Sequence, residues 1–137
     1  MKYLFFDIEC ADGGKATICS FGYVIADMDF KIIKREDIIM NPEGHFFLTG
    51  RAGRPDVPLA YPKETFFRSP KFPKFHSKLK ALLENEEYYI IGHSIGDDVT
   101  YLNKACARYG LEPFKFSYFD TQRMHRELKG DNKSISL

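Results

Sequence analysis

Residues 3–14 read YLFFDIECADGG. Residues 2–8 are apolar enough for a buried strand, and Gly13-Gly14 stops the run. Asp7 and Glu9 stand where that strand ends. In an extended chain, residues two apart share a face at a spacing of about 6.6–6.8 Å. Both carboxylates therefore leave the same side of one strand end. Held that close they repel, and each raises the other's pKa. Cations relieve the conflict, and donors that are all oxygen suit Mg²⁺ or Mn²⁺. Taken alone, the pair also fits two solvated acids at a strand terminus.

The pattern downstream settles the fold class. Residues 17–26, TICSFGYVIA, are rich in β-branched and aromatic side chains. Asp27-Met28-Asp29 reads as a tight turn and residues 30–39 as a third strand, so the two form a hairpin. Residues 41–74 carry Pro42, Pro55, Pro58, Pro62, Pro70 and Pro73, with Gly44, Gly50 and Gly53. They read as a long functional or mobile loop with one helical turn. Residues 75–83 have helical spacing, and residues 88–91 are a short apolar strand, expected to be central and buried on both faces. Residues 96–109 read as a helix with Val99, Leu102, Cys106 and Tyr109 in one stripe, capped by Gly110. A fifth strand is expected over 114–119 and a helix over 120–128. The order β-β-β-α-β-α-β-α makes an α/β chain, a mixed five-stranded sheet flanked by helices.

Composition excludes several classes. A chain of 137 residues, 44% hydrophobic with 13 Phe and 8 Tyr, fills one domain with a real core. The net charge of +1 gives no global signal for a polyanion partner. Cys10, Cys19 and Cys106 form no C-x-x-C and point to a reducing compartment. The acids at 7 and 9 interrupt the first apolar run, so it does not read as a secretory leader. No stretch approaches the roughly 18 apolar residues of a membrane span. A cytoplasmic protein without a membrane partner is expected.

A third acid joins the first two. Residues 90–102, IIGHSIGDDVTYL, are a strand, a glycine-bracketed turn and a helix start, with Asp97 and Asp98 in the first helical turn. Acids there are stabilised by the helix dipole, so capping accounts for them. Asp98 stands one turn before Leu102 and should point inward; Asp97, rotated by about 100°, should cap or face solvent. If this strand adjoins the first, its C-terminal end brings Asp98 to Asp7 and Glu9, at the edge where ligands of α/β sheets gather.

These segments resemble the DEDD-type 3′→5′ exonucleases, which include the epsilon-type proofreading subunits of bacterial DNA polymerase III. FFDIEC is similar to their first motif, GHSIGDDVTYL to their second, and YFDTQRM to the strand-to-helix passage that follows. The resemblance spans essentially the whole chain. It implies a ribonuclease H-like fold and two-metal phosphodiester hydrolysis, with Mg²⁺ or Mn²⁺ held by Asp7, Glu9 and Asp98. It places Cys10 and Ala11 against the terminal nucleotide, although relatives often carry threonine and glycine there. His93 and Ser94 fall where relatives often have His-Asn, and either support the scissile nucleotide or stabilise the turn.

The resemblance breaks at the third motif. Neither H-x-x-x-x-D nor Y-x-x-x-D occurs after Asp98. Asp120 reads as an N-cap and His125 as a helix-surface residue. The family's fourth carboxylate and water-activating residue would follow residue 137. The expectation is a shortened exonuclease, lacking its C-terminal helix, whose own activity is weak or absent.

Residues 51–80 hold Arg51, Arg54, Lys63, Arg68, Lys71, Lys74, Lys78 and Lys80 against Asp56 and Glu64, a local excess of six positive charges. Phe66, Phe67, Phe72 and Phe75 are interleaved. Such a segment can track a phosphate backbone while its rings stack on bases, or its phenylalanines anchor a solvated loop, expected for at least two of them. The expected partners are single-stranded DNA or RNA 3′ ends, with a polymerase or another replication or repair protein. The alternatives are a non-catalytic nucleic-acid-binding module of the same fold, and a small α/β protein with incidental acids.

Overall fold

A computed structural model describes residues 1–47 and 58–130. Its elements are β1 (Lys2–Cys10), β2 (Ile18–Ala26), β3 (Ile32–Ile39), α1 (Lys63–Phe67), a 3₁₀ turn (Phe72–Phe75), α2 (His76–Leu83), β4 (Tyr88–Gly92), α3 (Ile95–Arg108), β5 (Phe119–Asp120) and α4 (Thr121–Lys129). The five strands form one mixed sheet in the order β3-β2-β1-β4-β5. The β1–β2 and β2–β3 pairs are antiparallel; β1–β4 and β4–β5 are parallel.

The first hairpin closes as its residues dictate. Asp27 Oδ1 accepts from the N–H groups of Asp29 and Lys31, both at 2.9 Å, while Phe30 takes the left-handed conformation. Strand alternation then sorts the side chains. Leu4, Phe6 and Ile8 of β1 face the core with Phe21, Tyr23 and Ile25 of β2. Leu79 and Leu83 of α2, and Ile95, Leu102, Ala105 and Cys106 of α3, cover that face. The opposite face carries Phe5, Asp7, Val24 and Ile91 and lines an open cleft of about 900 Å³.

Three expectations change. β4 is central, but Tyr89 is 39% exposed, because helical packing from α2 and α3 reaches one face of the sheet. β5 is two residues long. Phe114 turns instead into the core beside Phe72 and His76, and the Lys115 N–H donates to Glu84 at 2.8 Å, so this segment spends its contacts on α2 and the 3₁₀ turn. The proline-rich stretch is more built than a loop. It holds α1 and the 3₁₀ turn, and Asn41 binds it through Pro70 O and Phe67 O. Phe66 and Phe72 are buried anchors, Phe75 is half-buried and Phe67 stays outside.

Candidate active site

Asp7 and Glu9 lie on the open face at the C-terminal end of β1, both exposed. β1 pairs with β4 only from Lys2 to Phe5, so its acid-bearing end runs on past the β4 ladder. On the other side the β1–β2 register shifts between Glu9 and Cys10, leaving Cys19 as the extra residue of a bulge. Its thiol donates to Glu9 O at 3.4 Å. The sheet is thus bent where the second acid leaves it. The pKa of Glu9 is raised by burial first, then by the Asp7 charge and by contact with the Asp7 carboxyl, then by Asp37.

The third acid arrives from α3. Gly92 ends β4 so tightly against this helix that an added Cβ would lie 2.6–2.8 Å from Ile95. Ser94 takes the left-handed conformation and the helix begins at Ile95. Asp97 faces solvent and Asp98 is buried, as their helical positions require. The Asp98 carboxyl accepts from the Ile8 N–H on the end of β1 that runs past the β4 ladder. Burial is the largest cause pushing its pKa up to about 7; Asp7 adds to it, the Ile8 hydrogen bond opposes it, and Asp97 and Glu9 add smaller repulsions. The three acids therefore share one electrostatic environment at one sheet edge.

The flanking residues divide. Cys10 is half-buried; burial, then Cys19, Asp98 and Glu9, push its thiol up to about 12 against the opposing charge of Arg108, which keeps it a neutral thiol. Ala11 is fully buried, its N–H bound to Thr17 O and its carbonyl to the Phe47 N–H, so its side chain has no surface to offer a nucleotide. His93 Nδ1 meets Thr121 Oγ1 at 3.0 Å, and His93 lines the open cleft with Asp7. The Ser94 N–H donates to Asp120 Oδ1 at 3.0 Å and its hydroxyl to Gln122 at 2.9 Å. His93 and Ser94 thus tie the turn before α3 to the start of α4. Asp120 is the N-cap of α4, accepting from the Gln122 N–H at 2.9 Å. His125 is half-buried rather than on the surface.

Two further residues belong to this environment. Asp37 of β3 is in register with Gly22, which is in register with Asp7, so one row across three strands runs acid, glycine, acid on the open face. Asp37 is held by the Ser20 hydroxyl at 3.2 Å and the Tyr61 hydroxyl at 3.0 Å. The Gly22 signal was present in the sequence, since glycine inside a strand marks a close approach. Tyr101 of α3 has its pKa raised by burial, then by Cys10, Asp97, Asp98 and Glu9, which puts its phenol beside the cluster.

Folding redistributes the basic segment. Lys71 pairs with Glu43 at 2.9 Å, Lys78 with Glu36 at 2.5 Å, and Lys80 with Glu84 at 2.6 Å and Glu112 at 3.5 Å. Lys63 lies over the Phe46 ring. Arg68 and Lys74 remain exposed to solvent, while Arg51 and Arg54 lie outside the described residues.

The donor chemistry fits a hard divalent cation: the Asp7 charge raises the proton affinity of both Glu9 and Asp98, and a cation among the three carboxylates relieves that repulsion. Their placement is looser than a finished site. Among the described residues, no three His, Cys, Asp or Glu side chains are set to hold an ion.

No protein-family model matches the chain, and no curated protein matches it in sequence. Solved structures do match its fold. A product-bound structure of exonuclease I superposes with a TM-score of 0.68 at 14% identity, covering 93% of this chain and 31% of that one. The E. coli exonuclease I complex with a dA16 oligonucleotide gives 0.66 at 15% identity over 93% of this chain and 30% of that one. The ExoI/SSB-Ct complex gives 0.68 at 15% identity with the same coverage. The chain spans about a third of the length of these proteins, and over that span it has their α/β fold, a ribonuclease H-like mixed sheet flanked by helices.

Proposed function

We propose that this chain is an exonuclease-type phosphodiesterase domain acting on the 3′ ends of single-stranded DNA. The observation that supports it most is the meeting of Asp7, Glu9 and Asp98 at one sheet edge, where the Asp7 charge raises the proton affinity of the other two. In this reading Asp7, Glu9 and Asp98 hold Mg²⁺ or Mn²⁺. Such ions, when bound, neutralise charge at the attacking and leaving oxygens of a phosphodiester. The chain's own part is positional. Cys10 borders the terminal nucleotide as a neutral thiol, and the His93–Ser94 turn, braced by Asp120 and Gln122, keeps α3 and its acid against β1. Ala11 acts by packing beneath that border. Residues after Asp98 supply no H-x-x-x-x-D or Y-x-x-x-D. A missing general base costs roughly 10²–10⁴-fold, so turnover by residues 1–137 is expected to be weak or absent. That exonuclease I has been solved with oligonucleotides and with SSB-Ct supports a single-stranded DNA substrate and a replication or repair partner.

A second reading, a nucleic-acid-binding module without catalysis, is favoured by the Ile8 N–H that engages Asp98 within the chain. The test is a Mn²⁺ titration followed by thermal melting, with a 5′-labelled single-stranded oligonucleotide assayed in parallel. Mn²⁺ should raise the melting temperature of the wild-type chain and leave Asp7→Ala unchanged. Slow shortening from the 3′ end supports the first reading, and binding without shortening the second. A melting temperature indifferent to Mn²⁺ in both chains sinks the metal site.

A further inference from the structure

β3 is an outer strand of the sheet, and its outer edge, unpaired among the described residues, is chemically self-complementary. Its sequence is IIKREDII, residues 32–39. The N–H of Met40 points inward to Cys19 O and that of Asn41 points outward to Pro70 O. By alternation, the outward N–H and C=O groups belong to Arg35, Asp37 and Ile39; Ile33 is the extra residue of a β-bulge, where the β2–β3 register shifts and alternation breaks. None of their N–H groups has a backbone partner outside the sheet among the described residues. Ile32 is 55% exposed and Ile33 53%, which is unusual for an edge that faces only water. Arg35 makes no ion pair or hydrogen bond among the described residues, whereas Lys34 and Lys78 both reach Glu36.

We propose that β3 pairs antiparallel with β3 of a second copy of this chain, about a two-fold axis through Glu36, joining two sheets into one of ten strands. A two-fold axis between antiparallel edges is perpendicular to the sheet, so facing residues share a side and their numbers sum to an even value. Centred on Glu36, the open faces match Arg35 with Asp37 of the partner subunit, twice. These two pairs coincide with the outward-pointing backbone groups, so each also exchanges ladder hydrogen bonds. The two Glu36 carboxylates meet at the axis already compensated, each bound by Lys78 at 2.5 Å and by the Tyr23 hydroxyl at 2.6 Å. Centring on Arg35 instead would set two guanidinium groups face to face, and its two Lys34–Glu36 matches would engage a Glu36 that Lys34 and Lys78 already pair within each chain. Lys34 as centre sets two ammonium groups face to face. The charge order of the strand therefore selects both the partner and the register. The pairing also brings Arg35 of the partner subunit to Asp37, the acid whose charge reaches Glu9.

Sedimentation of the 137-residue chain across micromolar to submillimolar concentration should show a monomer–dimer equilibrium. Arg35→Asp should weaken it by roughly tenfold or more, since two attractive cross-strand pairs become repulsive, and adding Asp37→Arg in the same chain should restore it. The residue on the axis gives a second readout. In Glu36→Cys the two thiols face each other in a pair whose Cα atoms lie about 4.5 Å apart, within disulfide range. Mild oxidation should link this variant into a covalent dimer, and the same treatment of Arg35→Cys should do so far more slowly. Circular dichroism of each variant shows whether the fold is kept. A monomer at every concentration with no cross-linked Glu36→Cys, or a dimer untouched by Arg35→Asp in a folded chain, overturns the proposal.

Discussion

Asp98 carries the clearest pH signature at the scale of single residues. Its pKa stands near 7, above its ordinary value of 3.8. Between those values the folded chain holds a proton that the unfolded chain has released. Stability contributed by this group is therefore fully present below about pH 4 and is lost as pH rises through 7. Asp98→Asn keeps the shape and an acceptor for the Ile8 N–H but cannot ionise. In chelator, it should remove the pH 4–7 slope of unfolding free energy and be more stable than wild type at pH 8 by the order of 1–3 kcal/mol, read by urea denaturation. An unchanged slope would mean that Asp98 titrates normally. How far the site was legible follows from the same residues. Asp7, Glu9 and Asp98 could be read because strand and helix periodicity fix where each side chain points. Asp37 could not, because on paper it is one charge in a run of four. Only the β2–β3 register, which Asp27 sets at the turn, carries it opposite Gly22 and Asp7. Tyr101 was hidden for a related reason: its neighbours come from β1 and from its own helix at once.

At the scale of elements, the passage from β4 into α3 decides whether Asp98 arrives at all. Gly92 and Gly96 bracket that passage and look alike in sequence, yet they face different surroundings. A Cβ at Gly92 would strike Cβ, Cγ1 and Cδ1 of Ile95, a fully buried side chain with nowhere to turn, whereas a Cβ at Gly96 meets nothing within 4 Å. Gly92→Ala should therefore cost about 1–3 kcal/mol through overpacking. Gly96→Ala should be neutral or stabilise by up to roughly 1 kcal/mol through helix propensity. Thermal melting of the two variants checks the pair, and equal effects would contradict this geometry. Element order and type were readable from apolar periodicity, because the long segments are amphipathic and well bounded. The fifth strand was not, because a run such as Phe114–Phe119 has the composition of a strand wherever it packs. Phe114 is drawn to Phe72 and His76, leaving two residues for the ladder. The proline-rich stretch misled in the opposite direction: proline marks the start of both short helices, and Phe72 is buried in a core shared with a sheet far away in sequence, while Phe66 packs on the rings of Phe46 and Tyr61.

At the scale of the whole molecule, the question is how many positive charges a nucleic acid would find. Counted along the chain, residues 51–80 offer eight cations against two acids. Folding brings Glu36, Glu43, Glu84 and Glu112 to three of the lysines and the Phe46 ring to a fourth. Sequence composition cannot see these neighbours, since each comes from outside the segment or from its far end. Arg68 and Lys74 stay exposed, while Arg51 and Arg54 lie outside the described residues. If the segment tracks a single strand while these lysines stay paired, it neutralises at most four phosphates even with Arg51 and Arg54 both counted. At about −0.7 per phosphate for single strands, the plot of log K against log salt should have a slope no steeper than about −3, where eight contacts would give about −6. Fluorescence anisotropy of a labelled oligothymidylate over a sodium chloride series measures it directly. A slope near −6 would show that the glutamate pairs open on binding. A flat response would remove phosphate tracking from this face altogether, leaving its rings and helical turns as scaffolding for the sheet edge.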